Sequence, residues 1–436
     1  MSAARTAGAP AGTGRRERVF DLPTKVFCAL LTLPAALLCA GSLGSPGGAL
    51  HVQSHTMLVL GKCLCYATLA LSIDLVWGRL GLLSLGHGAF FALGGYAFGM
   101  YLMRQIGARG VYAASDLPDF MIFIGWEKLP WHWQLSHSPA LSLLLAVAAP
   151  AALGLAFGWS AFRSRVSGVY FSIISQALTY ALMLAFYLNA LGFGGNNGFT
   201  DFKSVLGRDI RSPGVVAALF AMSALTLLGS CLLCRALAVS RLGLAMSAAR
   251  DNENRTRFIG YRVENVKLFV FTFSAAMAGL AGALYVPQAG IINPSLLAPV
   301  FSVEMVVCVA LGGRGSLHGA AAGAVLVGLL KSWLTGAHPV VWPIVLGALF
   351  VLVSVFLPGG LAGLVRDLAA RLSPGRGENA GADAGGGSGR GDGDNDADDD
   401  ADDDAGGGNG DDGDGSEKRR KEFSAAAAAA SGEAPA

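Results

Sequence analysis

The stretch ALAVSRLGLAMSAARDNENRTRFIGYRVENVK, Ala236 to Lys267, decides how this chain is read. It is a charged connection set between two long apolar runs. It carries Arg241, Arg250, Arg255, Arg257, Arg262 and Lys267, with Asp251, Glu253 and Glu264 among them. Two membrane crossings can be joined by a handful of residues. A polar, partly helical connection of this length predicts a docking surface for a soluble partner on one side of a bilayer.

The flanks of that loop set the class. Mean hydropathy is +0.51, 53% of residues are hydrophobic and only 14% are charged. A soluble domain has about a quarter of its residues charged. A span needs roughly 20 apolar residues, and hydropathy gives such runs near 25–43, 57–77, 81–103, 139–162, 166–190, 214–234, 268–287, 298–311, 317–335 and 341–357. The expected fold is an all-α polytopic helical bundle of about ten (8–10) transmembrane helices. The run 298–311 is short enough to be re-entrant. Three regions follow: a basic N-terminus at 1–24, a transmembrane part at 25–365 holding the 236–267 loop, and an acidic tail at 366–436. Residues 1–24 lead into an apolar run and are expected to precede an uncleaved first span.

The net charge of +2 hides two opposed halves. Residues 1–373 carry 26 basic and 13 acidic side chains, whereas the segment from Pro374 carries 6 and 17. The N-terminus, Arg79, Arg163 with Arg165, the 236–267 loop, Arg314, and Arg366 with Arg371 all fall on one side for an even number of crossings. The positive-inside bias makes that side cytoplasmic, with both termini there. The charge pattern gives no reason to invoke nucleic acid. The Gly/Asp/Ala tail lacks apolar anchors and is expected to be disordered. Its Asp392–Asp396 run lacks the glycine and the closing glutamate of a calcium loop.

The body holds 44 glycines in 373 residues, about 12% against a usual 7%. Pairs such as Gly95/Gly99, Gly154/Gly158 and Gly319/Gly323 put small residues on one helical face, where backbones can approach closely. No catalytic constellation, metal set or cofactor motif is visible: GAVLVGLLKS at 323–332 fails the P-loop spacing, and HExxH and GxSxG are absent. The seven cysteines all lie in apolar runs and read as packing residues. Candidates for a solute path are Ser84 and His87 in the glycine-broken GLLSLGHGAFFALGGYA (81–97), Asn196 and Asn197 in GFGGNNGFTDF (192–202), and Glu304. A carboxylate at membrane depth costs about 2.5–3.5 kcal/mol on insertion scales and so faces protein or water.

Four segments carry a resemblance: GLLSLGHGAFFALGGYA at 81–97, ARDNENRTRFIGY at 249–261, FSAAMAGLAGALY at 273–285 and VALGGRGSLHGAAAGA at 309–324. In this order they resemble the branched-chain amino acid type of ABC importer permease, from about residue 57 to 364. Within it, GMYLMRQ (99–105), LPDFMIFIGWEKLPWHW (117–133) and GGNNGFTDFK (194–203) look like the urea-transporting branch. The resemblance implies a non-catalytic inner-membrane subunit of an ATP-driven importer that carries urea or short amides by alternating access. A branched-chain amino acid is the alternative cargo, and a passive channel or secondary transporter the alternative class. It further implies a second related permease, two cytoplasmic ATPase subunits and an extracytoplasmic solute-binding protein. The family's coupling motif falls on Ala249, Arg250, Asp251, Glu253 and Gly260, with Arg255 where a small residue is usual.

Overall fold

The computed structural model describes residues 21–43, 52–106, 110, 117–166, 168–357 and 359–372. The N-terminal residues 1–20 and the acidic tail from 373 onward lie outside the described residues, and with them the expectations made for those segments.

The described residues are mostly helical. In order come α1 (Leu22–Leu43), α2 (Ser54–Asp74), α3 (His87–Arg104), two short helices α4 (Asp119–Phe123) and α5 (Trp131–Gln134), α6 (Pro139–Arg163), α7 (Val169–Tyr187) and α8 (Pro213–Val239). The charged 236–267 connection forms α9 (Arg241–Asp251) and α10 (Glu253–Phe258). Then follow α11 (Val263–Ala289), α12 (Pro299–Gly312), α13 (Leu317–Ala337), α14 (Trp342–Phe356) and α15 (Gly360–Leu372). Helix starts follow local chemistry. Pro139, Pro213 and Pro299 each occupy the first turn of their helix, where a missing N–H costs nothing. At its far end α11 stops at Gly290, whose φ of 74° makes the left-handed cap.

All ten expected spans are helical, and among the described residues seven helices are long and apolar enough to cross a membrane: α1, α2, α6, α7, α8, α11 and α13. The other three become the shorter α3, α12 and α14. The 81–103 span differs most. Residues 81–86 are irregular and the helix begins only at His87, because Gly81 takes a φ of 79° that continues no helix. The 366–436 boundary also shifts. Residues 360–372 form one helix with Leu361, Leu364, Val365 and Leu368 on a single stripe, a spacing that drives amphipathic helix formation.

At the centre α11 packs against α6, α3 and α2. Contact is backbone to backbone. A Cβ on Gly94 would meet the Gly279 carbonyl, one on Gly279 the Ala146 carbonyl, and one on Gly282 the Phe91 carbonyl. The Gly319/Gly323 pair plays the same part between α13 and α12, against Gly312 and the Cys308 carbonyl. All seven cysteines are free thiols carried on α1, α2, α8 and α12, five of them buried. Two minimal antiparallel ladders tie the ends of loops. Phe199–Thr200 pairs with Ile291–Ile292, and Ser204–Val205 with Arg208–Asp209.

Candidate functional site

The loop between α8 and α11 is a built object rather than a tether. Ser240 caps α9 by accepting from the Gly243 N–H, and Asn252 caps α10 by accepting from the Arg255 N–H at 2.9 Å. Side-chain capping is worth about 1 kcal/mol per helix, which matters for helices too short to persist alone. Glu253 then ties α10 to α11. It accepts from Arg257 at 2.7 Å and from Lys267 of α11 at 2.7 Å, while Arg257 also pairs with Glu264 at 2.8 Å. The Lys267 side chain is only 6% exposed. Partial burial pushes the Glu253 carboxyl up, but the hydrogen bonds from Lys267 and Arg257 outweigh it and hold the group below the ordinary glutamate range. A depressed pKa means that this stabilisation is complete above the ordinary glutamate value and is lost only as pH falls through the lower one.

The same block is fastened to the bundle. Ala249 is buried, and Arg250 donates to the Gly78 carbonyl at 3.2 Å while pairing with Asp251 at 3.1 Å. Gly78 lies in the π-helical turn Leu75–Arg79 that ends α2. Beside that turn the buried Asp74 accepts from the Gly315 N–H at 2.7 Å. The outer surface of the block carries an apolar patch among its charges: Phe258 is 91% exposed and Ile259 71%. Arg255 and Gly260 are exposed, and Gly260 takes a φ of 98° just past α10. The six expected motif residues therefore share one compact unit.

The expected path residues do not form one cluster. Ser84 and His87 lie at the break before α3. Both are buried. His87 Nε2 is 3.1 Å from Ser274 Oγ, near the middle of α11, so α3 starts deep in the bundle. The 14 residues of α12 span about 21 Å, short of the roughly 30 Å hydrocarbon core. The starts of these two helices meet, where the Gly88 N–H donates to Ser302 Oγ at 3.1 Å. This pair of interrupted helices is what irregular backbone at membrane depth looks like when protein satisfies it. The satisfying groups come from α7. Ser175 Oγ accepts from the Leu85 N–H at 3.0 Å, Ser172 donates to the Leu83 carbonyl at 2.7 Å, and Thr179 to the Leu85 carbonyl at 3.3 Å. Sequence reading missed this hydroxyl ladder, although Ser172, Ser175 and Thr179 fall on one helical face. Ser175→Ala leaves the Leu85 donor unmet, a cost of about 1–3 kcal/mol. A lowered thermal midpoint of the purified chain is the expected result. Tyr180→Phe, at an exposed position on the same helix, is the control and should leave the midpoint unchanged.

Glu304 sits apart, on α12. Lys331 of α13 donates to both of its oxygens, at 2.8 and 2.9 Å. The ammonium also stands 6.0 Å over the Tyr66 ring and 5.7 Å over that of Trp342, and Tyr66 donates to the Tyr285 hydroxyl at 3.1 Å. Lys331 is not among the expected residues; a lone lysine in the apolar run 317–335 is the signal that could have found it. Asn196 and Asn197 are exposed on the side away from α9 and α10. A mostly apolar recess of about 600 Å³ opens on that side too, walled by Leu93, Tyr96, Met100, Trp131 and Phe193.

Comparison with known proteins agrees with this architecture. The chain is 26% identical to the high-affinity branched-chain amino acid transport system permease protein LivM of Salmonella typhimurium, over 76% of this chain and 74% of the relative. It is 24% identical to the corresponding permease protein BraD of Pseudomonas aeruginosa, over 68% and 91%. A ribose import permease protein, RbsC of Escherichia coli, is 28% identical over 44% of this chain and 62% of its own length. No solved structure matches. Residues 56–354 match the family described as branched-chain amino acid transport system / permease component, and the chain belongs to that family of multi-pass membrane permeases.

Proposed function

We propose that this chain is one permease subunit of an ATP-driven importer, and that its cargo is a branched-chain amino acid. It resides in the inner membrane with both termini in the cytoplasm. It pairs with a second related permease, receives solute from an extracytoplasmic binding protein, and is driven by two ATPase subunits that grip the α9–α10 block. The observation that carries this reading is the block itself. Capping and the Glu253 network make it stiff, Phe258 and Ile259 give it an exposed apolar patch, and Arg250 and Lys267 fix it to α2 and α11. A push on such a unit moves helices, whereas a channel has no use for it. Movement of α2 and α11 would then part the interrupted helices around His87 and Ser302. Glu304 would offer a charged partner along the way.

The relatives' names favour an amino acid over urea, and an apolar recess suits a branched side chain better than a small polar diamide. The urea reading keeps the support of segments 117–133 and 194–203. Competition separates the two. Labelled leucine uptake by the assembled transporter is expected to be blocked by excess leucine and untouched by excess urea, whereas labelled urea uptake that excess leucine leaves untouched would reinstate urea. Glu253→Ala is expected to lower ATP-dependent uptake by roughly tenfold or more at equal membrane abundance, since it strands the buried Lys267 and loosens α10. Uptake at the unaltered rate would remove the block from the mechanism.

A further inference from the structure

At the loop-facing ends of α6 and α11 lies a recess of about 260 Å³ that the transport reading does not use. Its wall includes Trp159, Arg163, Arg165, Arg262, Glu264 and Asn265. The three arginines are exposed, and none has an acidic partner among the described residues. Glu264 is the one acid in the wall, and its carboxylate is already engaged by Arg257 at 2.8 Å. The recess therefore holds a surplus of positive charge with its donors unspent.

Its other half is apolar. Trp159 lies about one turn inward from Arg163 along α6, is 57% exposed, and has the Arg163 guanidinium 5.7 Å from its ring centroid. Leu268 lines the recess beside it, and Val169 and Tyr170 at the start of α7 are exposed nearby in sequence. A tryptophan followed by arginines at the end of a crossing marks the level where hydrocarbon gives way to headgroups. An anion held here meets guanidinium groups on the aqueous side and a ring and leucine on the bilayer side. A phosphodiester attached to acyl chains satisfies both halves; inorganic phosphate satisfies one. Basic recesses between crossings on the cytoplasmic side are suited to such headgroups.

We propose that this recess binds the headgroup phosphate of an anionic phospholipid, drawn from the leaflet that faces the α9–α10 block. The assignment of that leaflet as cytoplasmic rests on the orientation proposed above; the binding itself does not. Through Glu264 the bound lipid would lie one ion pair from Arg257 and two from Glu253, so the site adjoins the unit proposed to couple transport.

The full-length chain, purified in detergent and titrated with phosphatidylglycerol or phosphatidylcholine, tests this by native mass spectrometry. Phosphatidylglycerol is expected to be retained and phosphatidylcholine not. Neutralising the site with Arg163→Gln, Arg165→Gln and Arg262→Gln should weaken retention roughly fivefold for each arginine, the equivalent of about 1 kcal/mol per basic residue near an anionic surface. Arg208→Gln, on the far side of the bundle, should leave it unchanged, and matching elution profiles confirm that the variants are folded. Equal retention by the triple variant would overturn the proposal. So would retention of phosphatidylglycerol no better than phosphatidylcholine while inorganic phosphate binds, which would mark a soluble-anion site. No ATPase or solute enters the measurement, so failure of the transport reading leaves its outcome intact.

Discussion

Gly282→Val is expected to abolish the folded permease. A Cβ at this position runs into the Phe91 carbonyl and crowds the Gly95 N–H of α3. These are backbone atoms inside a helix, so no side-chain rotamer relieves the contact. Ordinary overpacking costs about 1–3 kcal/mol. Here α11 must instead move away from α3, and Gly94 against Gly279 on the same seam must separate with it. A loss above about 3 kcal/mol follows, a large fraction of the roughly 5–15 kcal/mol that keeps a domain folded. The matched control is Gly229→Val on α8, where an added Cβ meets nothing within 4 Å. Membrane abundance and size-exclusion profiles of the two variants should differ sharply. Similar behaviour would mean that the α3–α11 seam does not hold the bundle together.

Removing one partner of the Glu304–Lys331 pair is the second large effect. The Glu304 side chain is 7% exposed and that of Lys331 30%, so the carboxylate is the more deeply committed charge. Stranding a buried charge costs about 3–5 kcal/mol, while replacing both partners with neutral groups is often tolerated. Lys331→Met is therefore expected to destabilise the chain by about 3 kcal/mol or more, and Glu304→Gln by less, because the lysine can reach water more easily. Glu304→Gln combined with Lys331→Met should recover most of the stability, giving a coupling energy well above the noise of a double-mutant cycle. The same double variant addresses function. If Glu304 meets solute, the folded double variant loses uptake despite its restored midpoint. Full uptake would confine the pair to a structural role.

The crossings are legible in the sequence because hydropathy sums over a window and asks only whether a segment avoids water. That is enough to find α1, α2, α6, α7, α8, α11 and α13, and to mark the loop between α8 and α11 as foreign to the bilayer. It is blind to how a polar atom inside the bundle is satisfied. Hydropathy starts α3 six residues early because Leu82, Leu83 and Leu85 are as apolar as any helix. Only Gly81 and the hydroxyls of α7 reveal that their backbone takes another course. The residues expected to couple form a contiguous motif, and contiguity is what a sequence displays. The partner of Glu304 stands 27 residues away on another helix, and Lys267 stands 14 from Glu253. Pairings of that kind depend on helix rotation, which no local pattern fixes. The candidate path residues look equivalent in sequence for the same reason, although the structure spreads them from a deep helix break to an open outer surface.

The placement of the native sulfhydryls has a practical consequence. Every one lies on an apolar helix, and thiols in such surroundings react poorly. A bilayer-impermeant maleimide would find no ready target in the unaltered protein. A single reporter, Asn196→Cys or Arg255→Cys, could then be read directly, without first stripping the chain of its own sulfur. Labelling of the first in intact cells, and of the second only after they are opened, is the map that the proposed orientation demands.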